Sequence, residues 1–228
     1  MLPAVNPLDN PIWRALTTRQ AHLGDHHPPA SKFHADVSML GGFAEPDFRA
    51  LARLVPVGEQ VGIFIDEPAA TPGFERVAAA PLLQMLYTAR ATGDEPQPGP
   101  AIVPLDAADV PAMMALAALT KPGPFNRRTP ELGAFFGVRD GHELVAMAGQ
   151  RLRVPGHIEV SAICTHPDYV GRGYGAALTR FQVRRILNAG ERPFLHVRAT
   201  NTRAIALYER LGFEPGHRSH YLVLRRTA

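Results

Sequence analysis

The chain has 228 residues, 46% hydrophobic and 20% charged, which is the balance of a globular protein long enough to bury a sizeable core. With 24 Lys and Arg against 21 Asp and Glu the formal charge is only +3, and the basic residues are dispersed, so no nucleic-acid surface is expected. Cys164 is the single cysteine, which excludes an internal disulfide, and no apolar run approaches the ~20 residues of a membrane span. The start Met1-Leu2-Pro3-Ala4-Val5 lacks the basic and apolar regions of a secretion signal, so a cytoplasmic location without membrane attachment is expected.

In chain order, hydrophobic periodicity predicts a helix from Ile12 to Leu23, a loop rich in His and Pro, and a strand from Asp36 to Leu40. A helix (Pro46 to Leu54), a strand (Gln60 to Asp66) and a second apolar helix (Phe74 to Thr88) follow. His22, His26, His27 and His34 have no recognised metal-ligand spacing and lie beside Pro28-Pro29, so the expectation is an exposed loop and no metal site. The Pro/Gly-rich stretch 92–100 is the clearest linker. It divides an α/β accessory region, 1–91, from a second patterned region, 101–228.

Beyond the linker come a strand (Ala101 to Pro104) and a helix opened by Asp106, whose Val110, Met113, Met114 and Ala117 share one face. Phe125 to Leu132 could supply a second short helix, although Pro122, Pro124 and Pro130 make it read more as a mobile loop. The strands Gly133 to Val138 and Leu144 to Leu152 meet through Asp140-Gly141, a hairpin turn pair. Next are a strand (His157 to Thr165), a helix (Gly173 to Asn188), a strand (Pro193 to Ala199), a helix (Thr202 to Leu211) and a last hairpin (Phe213 to Leu224). Simple alternation along His157 to Thr165 puts Ile158, Val160, Ala162 and Cys164 on a buried face. His157, Glu159, Ser161, Ile163 and Thr165 fall on the other.

Two segments carry chemistry. In the first, Val170-Gly171-Arg172-Gly173-Tyr174-Gly175-Ala176, three alternate glycines lie between a predicted strand and a predicted helix. Backbone N–H groups converging at a helix N-terminus suit a phosphate, and glycine lets the anion approach closely. A Walker loop is excluded because Ala176-Ala177 stand where Lys-Ser/Thr is needed. A dinucleotide fingerprint is excluded because the third glycine comes one residue early. The second segment runs from Asn201 through Ala204 and Tyr208 to Gly212-Phe213.

Together these segments resemble the GNAT superfamily of N-acyltransferases, whose loop is Gln/Arg-x-x-Gly-x-Gly/Ala and whose later signature is Asn-x-x-Ala-x-x-x-Tyr-x-x-x-Gly-Phe. Every position of the later signature matches, while Val170 replaces the usual Gln or Arg of the loop. The resemblance covers roughly residues 100 to 228. It implies an α/β fold with a central mixed sheet flanked by helices, and residues 1–91 are then either a degenerate GNAT-like half or a separate cap. It also implies acetyl-CoA as acyl donor and an unidentified amine as acceptor, joined in a direct ternary complex. The other class in play is an acyl-CoA-binding regulatory module without catalysis. A monomer or homodimer is expected.

By the resemblance, the backbone of Gly171, Arg172, Gly173, Tyr174, Gly175 and Ala176 holds the pyrophosphate. Ile163, Cys164 and Thr165 offer backbone groups to the pantetheine and the thioester oxygen, and Asn201 stands beside the donor. Glu159, six residues before Thr165, is the candidate general base, and Tyr208 the candidate acid that protonates the departing thiolate. Each has a plainer reading. Glu159 could be a paired strand carboxylate, Asn201 a helix cap, and Tyr208 a core residue in the stripe Ala204, Leu207, Tyr208, Leu211. His196 could assist with protons or simply be packed in its strand.

Overall fold

The computed structural model describes residues 6–67, 70–89 and 99–228. The N-terminal region begins with α1 (Pro11–Leu16) and a small antiparallel sheet of β1 (Gly24–His27), β2 (Ala30–Phe33) and β3 (Gly41–Phe43). Then come α2 (Phe48–Leu54), β4 (Gln60–Ile65) and β5 (Phe74–Tyr87). Past the linker the chain forms β6 (Ile102–Leu105), α3 (Val110–Thr120), β7 (Phe135–Asp140), β8 (Glu143–Val154) and β9 (His157–Thr165). It closes with α4 (Tyr174–Asn188), β10 (Arg192–Arg198), α5 (Thr202–Arg210) and β11 (Phe213–Arg226).

Eight of these strands make one sheet in the order β4-β11-β5-β10-β9-β8-β7-β6, with β9 and β10 parallel and the other neighbours antiparallel. The sheet is therefore mixed and has helices on both faces, which is the expected class. On one face Leu8, Ile12 and Leu16 of the α1 region pack on Leu152, Val154 and Phe194. On the other, Val183 of α4 and Tyr208 of α5 pack on Leu83, Met85, Leu195 and Val197. Most of the linker, 92–98, lies outside the described residues. The strands before it, β4 and β5, are hydrogen-bonded into the same sheet as the strands after it, with β5 between β10 and β11.

Four expected elements differ. Phe74 to Thr88 is a strand, not a helix. Its apolar run satisfies either period, and pairing with β11 along its length and with β10 over Leu82 to Leu86 overrides the helix propensity of Ala78 to Ala80. Pro81 stands just outside the β10 pairing, where a missing N–H is tolerated. Phe213 to Leu224 is one long strand rather than a hairpin, because Pro215-Gly216 makes a register shift against β5 instead of a reversal. Asp36 to Leu40 forms turns, with only Leu40 bridging to Gly62. The first helix is also short, ending at Leu16, with a separate 3-10 turn at Ala21–Leu23.

Candidate active site

β9 and β10 are paired only from His157/Arg192 to Glu159/Phe194 and then diverge. Their separation opens a cleft of about 390 Å³, lined on one arm by Val160 to Thr165 and on the other by His196 to Arg198. The opening is helped by an irregularity in β9. The β8–β9 register shifts on either side of Gly149–Gln150, and Ala162 takes a left-handed φ of 51°. That bulge changes the phase of the strand. Ile158 and Val160 cluster with Ile186 of α4 and are joined by Ile163, whereas Ala162 and Cys164 cluster with Met113 and Leu116 of α3. The single buried face expected from simple alternation is thus two half-faces, and Ser161, Ala162 and Ile163 at the break line the cleft.

Gly171 and Gly173 have φ of 91° and 78°, values that disfavour any side chain. No atom stands within 4 Å of where a Cβ would lie at either position, so the turn leaves open room in front of α4. The first bond of that helix runs from the Ala177 N–H to the Gly173 carbonyl, leaving the N–H groups of Tyr174, Gly175 and Ala176 outside its ladder. The exposed Arg172 stacks its guanidinium 4.4 Å above the Tyr169 ring, whose hydroxyl donates to Asp140 at 2.7 Å. Open space, unladdered N–H groups at a helix N-terminus and an exposed guanidinium are features that suit an anion. Thr165 lies behind it, close to Gly175.

Tyr208 projects from α5 into the cleft wall, 9% exposed, and burial pushes its phenol up to about 12. It also packs edge-on against Phe213, so it belongs to the core and lines the cleft as well. Asn201 likewise does two things. Its side-chain oxygen accepts the Ala204 N–H at 3.1 Å and caps α5, and the residue lines the cleft. Cys164 is buried, and burial raises its thiol to about 11 against a hydrogen bond with Thr120. A thiol so held is a poor nucleophile.

Glu159 is fully buried and is not part of the cleft lining. Arg151 donates to both its oxygens, at 2.8 and 2.6 Å, and the His196 Nδ1 lies 2.7 Å from Oε1. Burial alone would raise this carboxyl, but Arg151 and then His196 outweigh it and hold it down at about 2. So weak and enclosed a carboxylate is unsuited to take a proton from the acceptor directly, which corrects the reading of Glu159 as the base. It orients its neighbours instead. With Nδ1–H donating to Glu159, the other ring nitrogen of His196 receives the Gln84 amide N–H at 3.2 Å. Burial lowers the His196 pKa despite Glu159, so the ring is neutral at pH 7.

Sequence reasoning did not single out Arg151, Gln84, Phe64 or Tyr221, all close to His196 or on the cleft wall. Arg151 and Glu159 sit on adjacent antiparallel strands, so a cross-strand ion pair was the available signal. Phe64, Gln84 and Tyr221 come from β4, β5 and β11, and no local pattern brings those strands together.

A family model described as FR47-like protein matches residues 135–222. The uncharacterized N-acetyltransferase YobR of Bacillus subtilis (strain 168) is 32% identical over 99 residues, a match spanning 43% of this chain and only 40% of that relative. A GCN5-related N-acetyltransferase from Kribbella flavida shares the fold at a TM-score of 0.60 and 17% identity, over 96% of both chains. A GNAT-family structure from Novosphingobium aromaticivorans DSM 12444 superposes with a TM-score of 0.91 at 36% identity, over 98% of this chain and 100% of that one. Likeness at that level over the full length of both chains, with the splayed strands and the glycine cradle in place, shows that the chain belongs to the GNAT family of N-acetyltransferases.

Proposed function

We propose that the protein transfers an acetyl group from acetyl-CoA to a primary amine in a direct ternary complex, in the cytoplasm. The observation that carries this reading is the cleft between β9 and β10, whose wall brings together Ile163, Cys164 and Thr165 past the end of the β9–β10 pairing, the Tyr208 phenol and the His196 ring. The donor's pyrophosphate rests on Gly171 to Ala176, with Arg172 and Asn201 beside it, and its thioester lies along Ile163, Cys164 and Thr165. Residues 101–228 hold the donor, and 1–91 build acceptor wall through Phe64 and Leu82.

The amine nitrogen attacks the thioester carbonyl carbon, forming the C–N bond, and the C–S bond breaks as the tetrahedral centre collapses. A β9 N–H at the bulge stabilises the oxyanion, a contribution of a few kcal/mol in acyl transfer (about 3). The ammonium's proton passes to His196, whose long bond from Gln84 an entering amine can displace. Tyr208, protonated throughout the physiological range, supplies the proton to the leaving thiolate. The buried thiol of Cys164 speaks against an acyl-enzyme.

Thiol release from acetyl-CoA across a panel of amines tests this reading. Acetyl-CoA binding by calorimetry without thiol release from any amine would favour the non-catalytic binding module. Two variants sharpen the test. Gly173→Glu should weaken acetyl-CoA binding at least ~10-fold, since a left-handed backbone is strained by any Cβ and a carboxylate repels phosphate. Unchanged affinity in a folded variant would remove the cradle assignment. His196→Gln should lower kcat/KM about 10-fold or more, and should erase the decline in rate below pH ~6.5 that protonation of the ring imposes. Because the ring's pKa is lowered, that decline lies on the acid side of ordinary histidine titration.

A further inference from the structure

Given acetyl transfer at this cleft, the charges on its wall narrow the acceptor. On the sheet face opposite Tyr208 the wall is made by Phe64, Tyr221, Arg151, Arg198 and the loop that begins at Lys121. Arg151 is neutralised by Glu159. Lys121 and Arg198 are exposed and form no ion pair or side-chain hydrogen bond among the described residues. Among the described residues no Asp or Glu lines the cleft. Nor, among the described residues, does one line the adjoining hollow of about 460 Å³, which shares Lys121, Arg198 and Tyr221 with the cleft and continues over Met39, Met114 and Phe125.

A polyamine or other polycation entering here would meet two unpaired cations and no carboxylate. Like charges brought together at a protein surface repel, which disfavours such an acceptor. A carboxylate would instead meet a guanidinium fork able to hold both its oxygens, with an ammonium nearby. Arg198 is close enough to Tyr221 for its charge to act on that phenol, so cation and aromatic wall are neighbours. The pyrophosphate cradle lies at the N-terminus of α4, a helix on the opposite face of the sheet, so these cations are not part of it.

We propose that the acceptor is an apolar α-amino acid, with its carboxylate on Arg198 and Lys121, its amine toward His196 and the β9 bulge, and its side chain in the hollow of Met39, Met114 and Phe125. This rests on the acetyl-transfer reading above and adds the substrate class to it.

Initial rates of thiol release with phenylalanine, phenethylamine, phosphoethanolamine and spermidine test the assignment. Phenylalanine should show a kcat/KM at least ~10-fold above phenethylamine and spermidine, the scale of losing one charge-assisted pair. Arg198→Ala should raise KM for phenylalanine about 10-fold while KM for acetyl-CoA moves less than about twofold. Equal or better turnover of phenethylamine or spermidine overturns the carboxylate assignment and leaves acetyl transfer standing. Preference for phosphoethanolamine overturns it in favour of a phosphate-bearing acceptor. An Arg198→Ala variant that raises only the acetyl-CoA KM assigns Arg198 to the donor and likewise overturns it. No thiol release with any of the four amines, while acetyl-CoA still binds, overturns the acceptor assignment, and acetyl transfer itself falls only if the wider amine panel is silent too.

Discussion

Replacing Glu159 by Ala should lower stability by about 3–5 kcal/mol, the range for removing one partner of a buried ion pair. The carboxylate accepts two bonds from Arg151, one from the Leu152 N–H at 3.3 Å, and faces His196. Its loss leaves the Arg151 charge largely enclosed without a counter-ion. The pH dependence has a definite sign. A carboxyl whose folded pKa is depressed to about 2 contributes stability that is complete above its ordinary range near 4.5 and drains away as pH falls through 2. His196, lowered by burial, adds a loss in the same direction that begins below its ordinary 6.5, because the unfolded ring takes up a proton that the folded one resists. Melting temperature of the parent should therefore fall from about pH 6.5 downward and more steeply below about pH 4.5. In Glu159→Ala the steeper portion should shrink. A variant as stable as the parent across that window would show that the Arg151–Glu159–His196 cluster contributes nothing to the fold.

This cluster illustrates how far the residues alone could lead. Position six before Thr165 marks Glu159 as chemically interesting, and it is, but strand alternation gives no depth. Glu159 belongs to the part of β9 still paired with β10, where the sheet is closed and the side chain cannot reach the cleft. The pairing with β10 ends at Glu159 itself, and every residue from Val160 to Thr165 lines the opening. The glycine turn and α5 were legible because their determinants are local. Left-handed glycines, an Asn cap and an apolar stripe all act within a few residues. β5 and β11 were misread for the opposite reason. Their conformations are imposed by partners more than a hundred residues away, which supply backbone bonds that Ala78 to Ala80 and Pro215-Gly216 do not announce. The cleft wall depends on those same strands through Tyr221 and Leu82 and shares their illegibility.

Tyr208→Phe should reduce turnover by roughly 10²-fold or more, the range for losing a general acid, with little change in melting temperature. The two halves of that expectation come from two properties of one side chain. The ring is buried among Leu83, Val197, Leu211 and Phe213, and Phe keeps all of that contact. The hydroxyl forms no hydrogen bond among the described residues and lies at the cleft, so its removal orphans no partner. Burial holds its pKa near 12, which keeps it protonated at every pH where an amine acceptor is reactive, as a donor to a departing thiolate must be. Truncation to Ala removes the ring as well and should cost a further ~3–5 kcal/mol of stability through the cavity it leaves. Turnover and melting temperature measured side by side for the Phe and Ala variants therefore separate donor from core residue. If the Phe variant works at the parent's rate while only the Ala variant fails, Tyr208 is packing alone, and the proton must reach the thiolate from cleft water.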